Sequence, residues 1–317
     1  MISIKKTRHK IKLFTLVFIT SLYSASTHAQ QGPMFSQYMF NMLNINPAYA
    51  GNRAVNNVTL VYRNQWIGFE GHPQTAMLSW DKRKQESNAG YGVQVYNDRL
   101  GLMNTTGVQG FYSYRLPFDN HSTLTMGLSG GVMNYNDNFS GMNLWDGGDP
   151  AAVSSSLWLP TVGLGGLFFM DEWYVGLSIP SLLRSAPGSR LDIGEYKGPF
   201  RTNYQYFLTG GYIFMLSRDW LLKPSTLIKY SSESGVQLDL NANAWYENKY
   251  GIGFSYRTGN AIVGMLECQL TPQFRLGLAY DYITSKLGLQ NYGAAELLLR
   301  YEFDTGKGIG IGSPRYY

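Results

Sequence analysis

The chain has 317 residues, of which only 15% are charged and another 15% aromatic, with 36 glycines, 24 tyrosines and a single cysteine. So few charges exclude an ordinary water-soluble surface, and the composition fits a transmembrane β-barrel. The formal charge of +5 does not point to nucleic acid: Lys5, Lys6, Arg8, Lys10 and Lys12 stand without an acid in residues 1–29, and beyond them 21 bases face 21 acids.

Residues 1–29 read as a cleaved secretory signal peptide. A basic start leads into an apolar run from Leu13 to Leu22, and the small-residue site Thr27-His28-Ala29 precedes Gln30. The run is too short for a membrane anchor, which needs about 20 apolar residues, and no cysteine follows it to carry a lipid. Residues 30–55 combine glutamine and asparagine with aromatics and the turn-forming pair Asn46-Pro47. Phe35, Tyr38, Phe40, Asn46, Pro47 and Tyr49 fit two roles equally: an ordered plug or cap of the barrel base, and a periplasmic docking surface for partner proteins.

From residue 56 onward the repeated feature is period-two alternation, the mark of strands whose faces meet different solvents. The clearest stretch is 236–246, where Val236, Leu238, Leu240, Ala242, Ala244 and Tyr246 oppose Gln237, Asp239, Asn241 and Asn243. Its length suits the roughly 9 to 11 residues of a membrane strand better than the roughly 5 to 6 of a soluble sandwich strand. The pattern predicts fourteen strands near 56–63, 74–81, 90–97, 105–116, 122–135, 158–169, 173–179, 203–215, 220–230, 236–246, 250–257, 261–270, 274–282 and 293–303. An even number is what a closed bacterial barrel requires, and closure removes the unpaired edges that lipid cannot solvate.

With the N-terminus in the periplasm, even-numbered links should be short and odd ones longer. The links 136–157 and 180–202 are the longest and fall outside. The stretch Asp81 to Asn88 reads as long for a periplasmic turn, and Thr258-Gly259-Asn260 as short for an external one. Trp158, Trp173, Trp220, Trp245, Tyr250 and Tyr282 at strand ends read as an interfacial girdle. The expected fold is therefore all-β: an antiparallel barrel of about fourteen strands crossing the outer membrane over 56–303, in contact with its lipid. A short periplasmic segment or plug, 30–55, precedes it and a periplasmic tail, 304–317, follows.

Three segments carry a family resemblance: PMFSQYMFNMLNINPAYAG (33–51), YRNQWIGFEGHPQTAMLSWD (62–81) and the terminal SPRYY (313–317). In combination they resemble the PorP/SprF outer-membrane proteins of the Bacteroidetes type IX secretion system. The resemblance implies a barrel that works with that machinery. Its partners would be the periplasmic ring and motor components, or a large secreted surface adhesin, often one used in gliding, whose C-terminal sorting domain the barrel helps export or holds.

The sequence argues against catalysis and offers no cofactor site. Only His72 and His121 lie beyond residue 29, on opposite predicted sides of the membrane, so they cannot form a metal cluster, and no GxSxG elbow is present. Gly163, Gly165 and Gly166 lack the βαβ context of a dinucleotide loop and read as wall positions that need room. Lys223, Lys229, Asp239, Arg257, Arg275, Asp281, Glu296, Arg300 and Glu302 fall on the polar, lumen-facing side. Their mixed signs suit internal ion pairs or a plugged barrel better than an ion-selective pore, with a passive solute channel as the alternative function. Trp66, Phe69, Glu70 and His72 read as a loop packed into the barrel mouth in preference to direct client contact. Arg315, Tyr316 and Tyr317 either end the fold or present a carboxylate to a partner. Cys268 reads as a small apolar wall residue.

Overall fold

The computed structural model describes residues 34–53, 55–84, 87–118, 121–137, 154–182, 204–231, 234–285, 288 and 290–303. The leader 1–29, the tail with Arg315, Tyr316 and Tyr317, and nearly all of the two long links lie outside them. Fourteen antiparallel strands form one sheet: β1 Asn56–Gln65, β2 Gln74–Arg83, β3 Ala89–Leu100, β4 Met103–Pro117, β5 Thr123–Asp137, β6 Ser155–Phe169 and β7 Trp173–Ile179. These are followed by β8 Gln205–Tyr212 with its continuation Phe214–Met215, β9 Trp220–Ser231, β10 Gly235–Tyr246, β11 Tyr250–Arg257, β12 Ala261–Gln269, β13 Phe274–Ile283 and β14 Ala294–Phe303. Each strand pairs with the next, and β14 pairs back onto β1 from Asn56↔Phe303 to Gln65↔Ala294, which closes the barrel. No helix among the described residues is long and apolar enough to cross a membrane.

Alternation sets the two faces. On β10, Val236 and Leu240 are exposed on the outer wall while Asp239, Asn241 and Asn243 are buried inside. The same parity runs through β11, where Tyr250, Ile252, Phe254 and Tyr256 face outward, and through β13, where Leu278, Tyr280 and Tyr282 do. The interruption of β8 at Ile213 has a local cause. The register of β8 on β9 is the same on both sides of it, and next to the break stands Pro224, which faces Tyr212 in that register and has no N–H to donate. Ile213 instead donates its N–H to the Glu172 carbonyl of the neighbouring turn, at 2.7 Å.

The links divide by side. Those at the end where Asn56 meets Phe303 are short: 84–88, 118–122, 170–172, 216–219, 247–249 and 270–273. Short turns belong on the periplasmic side of an outer-membrane barrel. The stretch expected to be a long periplasmic turn is in fact five residues, because β2 runs past Asp81 to Arg83 and is paired there with Gly90. The outer end carries the two longest links, and also tight ones. β3 and β4 are joined by Gly101 and Leu102 alone, with Gly101 at φ 57°, a conformation that costs glycine little.

Candidate functional site

The barrel is not hollow. Residues 34–53 run down its axis as three short 3-10 turns, Tyr38–Phe40, Met42–Asn44 and Pro47–Tyr49. Phe35, Tyr38, Phe40, Asn46 and Tyr49 are all buried, as is Pro47, in a core shared with wall residues such as Val61, Met77, Leu227 and Leu298. Asn46 starts the last turn: its Oδ1 accepts from the Ala48 N–H at 2.9 Å, and Pro47 occupies the first position, where a missing N–H costs nothing.

Three layers of contacts hold this segment. At the outer level, the Glu296 carboxylate on β14 accepts the backbone N–H of Ser36 at 2.8 Å and of Gln37 at 2.9 Å. Arg63 on β1 reaches the same carboxylate at 3.1 Å and Asp281 at 2.6 Å, and donates to Ser36 Oγ at 2.9 Å. Ser36 Oγ in turn donates to Asp281 at 2.7 Å, and Arg257 pairs with Asp239 at 3.0 Å beside it. Buried charges are tolerable only when paired and hydrogen-bonded, and this cluster ties five strands, β1, β10, β11, β13 and β14, to the segment in that way.

In the middle layer, Asn241 donates to the Tyr38 hydroxyl at 2.6 Å and Asn41 to Ser79 Oγ at 3.1 Å. The Arg300 guanidinium donates to the Phe40 carbonyl. Phe40 meets Trp245 edge-on, ring centroids 6.3 Å apart, and the Trp245 Nε1–H donates to Glu267 at 2.6 Å. Trp245 is therefore a lumen residue and not part of the interfacial girdle: it shares the odd parity of Asp239, Asn241 and Asn243. Burial pushes the Tyr38 phenol well above 10, helped by the Asp239 carboxylate, and burial does the same to Tyr49.

The lower layer is a set of backbone contacts. Ser178 donates to the Ile45 carbonyl at 2.5 Å, Ser113 to that of Ala50 at 2.6 Å, and Asn46 to that of Gly166 at 3.0 Å. Arg83 and Arg115 converge on the Asn52 carbonyl at 2.7 and 2.5 Å, and Arg53 pairs with Glu302 at 2.9 Å at the periplasmic rim. Wall glycines make the room. A Cβ on Gly127 would lie 2.2 Å from the Ala48 nitrogen, and one on Gly165 2.0 Å from Asn46 Oδ1.

All nine charged residues assigned to the lumen face are buried inside: Lys223, Lys229, Asp239, Arg257, Arg275, Asp281, Glu296, Arg300 and Glu302. Lys223 lies over the Tyr174 ring at 5.0 Å, and Arg275 pairs with Glu267 at 3.0 Å. Sequence reasoning passed over Arg63 and Glu267, although the parity of β1 and β12 turns both inward. Trp66 packs half-buried on the lumen core from the β1–β2 link; Phe69 and His72 are half-buried and Glu70 is exposed, so the link divides between mouth and solvent. Above Asn44 and Ile45 the lumen opens outward as a small recess of about 90 Å³, lined by Gln94, Gln109, Gln205, Met133 and Phe207 among others. Among the described residues, no group of three or more His, Cys, Asp or Glu could hold a metal ion.

A family model described as type IX secretion system membrane protein PorP/SprF matches residues 27–301, which takes in the lumen segment and all but the last two residues of β14. The chain belongs to the PorP/SprF family. It is thus a membrane component of the type IX secretion system, and its barrel sits in the outer membrane. Among solved structures, the chain is similar to the outer membrane protein Omp33 of Acinetobacter baumannii (10% identity, TM-score 0.47, 80% of this chain and 100% of that one). It is also similar to the toluene transporter TodX of P. putida (9%, TM-score 0.49, 89% and 97%) and to the KdgM porin in complex with disordered oligogalacturonate (12%, TM-score 0.40, 78% and 99%). A comparison with curated proteins finds no match.

Proposed function

We propose that this PorP/SprF protein is a non-enzymatic secretion accessory: a plugged barrel that supports export or surface anchoring of a large secreted adhesin, gripping the client or its C-terminal sorting domain from outside and touching the type IX machinery from the periplasm. The observation that carries the reading is the filled lumen. A wall that spends Glu296, Arg63, Asp281, Asn241 and Arg300 on its own segment 34–53 is organised to stay closed, which leaves the two ends as the working surfaces. The two longest links, 136–157 and 180–202, join strands at the outer end and are the proposed client grip. Residues 1–29 act as the cleaved export signal, and the tail 304–317 with Arg315, Tyr316 and Tyr317 offers a periplasmic contact.

The test is a mild-detergent pull-down of the tagged protein from native outer membranes, with mass spectrometry of what stays bound. A large adhesin or its C-terminal domain supports the client anchor, ring components alone shift the role to core machinery, and a bare barrel overturns both. The competing reading, a passive solute channel, needs conductance in planar bilayers from the intact protein; the filled lumen predicts none.

A further inference from the structure

The barrel wall is tallest at β4, β5 and β6, each 15 residues long; β3, β9 and β10 have 12, and β7, β11 and β12 have 7, 8 and 9. At about 3.3 Å per residue and a tilt of about 40°, fifteen residues rise about 38 Å and eight or nine about 20–23 Å, against an apolar band about 25 Å tall.

The register shows where the excess goes. Climbing the outer face of β4 and β5 from the periplasmic end, cross-strand pairs run Tyr114↔Met126, Tyr112↔Leu128 and Val108↔Val132. Directly above, the pairs turn polar, to Thr106↔Asn134 and Asn104↔Asn136. The same step occurs on β3, from Val95 to Asn97 and then Arg99. On β8 to β13 the outward residues nearest the outer end are instead Tyr206, Tyr230, Val236, Tyr256, Ile262 and Tyr282. The polar band is therefore absent from β8 to β13; it is deepest on β3 to β6 and continues on β1 and β2 only as the pair Asn64↔Gln74, at a height just outside the hydrocarbon where lipid headgroups lie.

We infer that the outer face of β3 to β6 at this height binds the saccharide headgroup of an outer-leaflet glycolipid. Its amides and hydroxyls form a fixed ladder: Asn97 donates to Asn104 Oδ1 at 2.7 Å and to Thr106 Oγ1 at 2.8 Å, and Asn134 to Ser156 Oγ at 2.9 Å. Such side chains both donate and accept, which is what sugar hydroxyls require. Trp158, 68% exposed and cross-strand from Asn134, offers a flat apolar face against which a sugar ring stacks. Arg99 is exposed at the edge, and no described Asp or Glu lies on this outward face, so a headgroup phosphate meets a cation and no carboxylate. A protein partner would call for several aromatic or aliphatic anchors at the centre of the patch. Here the large apolar side chains are two, Trp158 and Leu102 at the upper edge, set among amides and hydroxyls.

The experiment uses the full-length barrel in detergent after exchange has removed native lipid, titrated separately with purified lipopolysaccharide and with phosphatidylglycerol. The variant combines Asn104→Ala, Thr106→Ala, Asn136→Ala and Trp158→Ala; Tyr256→Ala with Tyr282→Ala on the low wall is the control, and heat-modifiable migration reports folding. The expected result is at least tenfold weaker lipopolysaccharide binding in the fourfold variant, with the control and all phosphatidylglycerol binding unchanged. Equal lipopolysaccharide binding overturns the inference, as does a parallel loss of phosphatidylglycerol, which would mark an unselective lipid annulus. If the fourfold variant misassembles, Arg99→Gln and Trp158→Ala singly carry the same test with about threefold losses, and the absence of any loss refutes it.

Discussion

Replacing Gly127 by leucine should expel the plug while leaving the barrel closed. Gly127 lies mid-strand on β5, paired with Ser113 and Gly165, and its Cβ position would be 2.2 Å from the Ala48 nitrogen, 2.3 Å from the Pro47 carbonyl carbon and 2.6 Å from the Ala48 Cα. All three are backbone atoms, so no side-chain rotation relieves the clash. Since carbon contacts settle near 3.5–4.0 Å, the turn 47–49 must shift by roughly 1 Å or more. That shift breaks the Asn46–Gly166 bond at 3.0 Å and strains the Ser178–Ile45 bond at 2.5 Å. At about 1 kcal/mol for each lost bond and about 1–3 kcal/mol for overpacking, docking weakens by about 3–5 kcal/mol. At 1.4 kcal/mol per decade, the plug-out population rises roughly a hundredfold to a few thousandfold. The assay is maleimide labelling of Ala48→Cys in a Cys268→Ser background: Ala48 is fully buried, so the labelling rate reports the undocked fraction. A Gly127→Leu barrel that folds and labels at the parental rate would refute the assignment of this glycine as a plug seat.

Three further outcomes follow from the layers of the site. Glu296→Gln removes the charge that Arg63 and two plug N–H groups share, and should cost about 3–5 kcal/mol of docking; adding Arg63→Met should recover part of that, and strict additivity in the labelling assay would count against a shared cluster. Trp245→Phe loses the 2.6 Å bond to Glu267 and should lower barrel stability by about 1–3 kcal/mol in a denaturant titration, an unchanged midpoint being the contrary result. Because burial holds the Tyr38 and Tyr49 phenols above the ordinary value of 10, their contribution to docking is full below pH 10 and is lost as pH rises beyond it. The Ala48→Cys labelling rate should therefore climb above pH 10 by more than thiol ionisation explains, and Tyr38→Phe should blunt that rise.

The strands were legible because the physics that makes them is local and periodic. A wall between lipid and a polar interior imposes alternation at every residue, and all fourteen stretches of alternation became strands, with β8 interrupted at Ile213, next to the position that Pro224 faces. The same parity turns Arg63, Glu267 and Trp245 inward, so position along the strand outranks aromatic character at a strand end in deciding which face Trp245 joins. The plug was legible only as composition. Its three 3-10 turns are too short to show a period, and what seats it, such as Ser36 and Gln37 N–H on Glu296, joins residues about 260 apart in sequence. The glycine seats show the same limit: Gly127 and Gly165 look like loosened strand positions until the chain passing them is known.

The charge count on the wall bears on what the lumen would become without its plug. Among the described residues the strands bury six bases, Arg63, Lys223, Lys229, Arg257, Arg275 and Arg300, and six acids, Asp81, Asp239, Glu267, Asp281, Glu296 and Glu302. A pore that selects ions concentrates one sign along its path; here the signs balance, and several pairs bond across neighbouring strands, as Arg257 does with Asp239 and Arg275 with Glu267. Deleting residues 34–51 should therefore open a conductance absent from the intact protein, yet one with a reversal potential near zero under a tenfold salt gradient. Strong cation or anion selectivity would mean that the wall charges serve permeation and that the plug regulates a channel. Weak selectivity would mean that they exist to hold the plug, which is what their contacts with Ser36, Gln37, Phe40 and Arg53 already do.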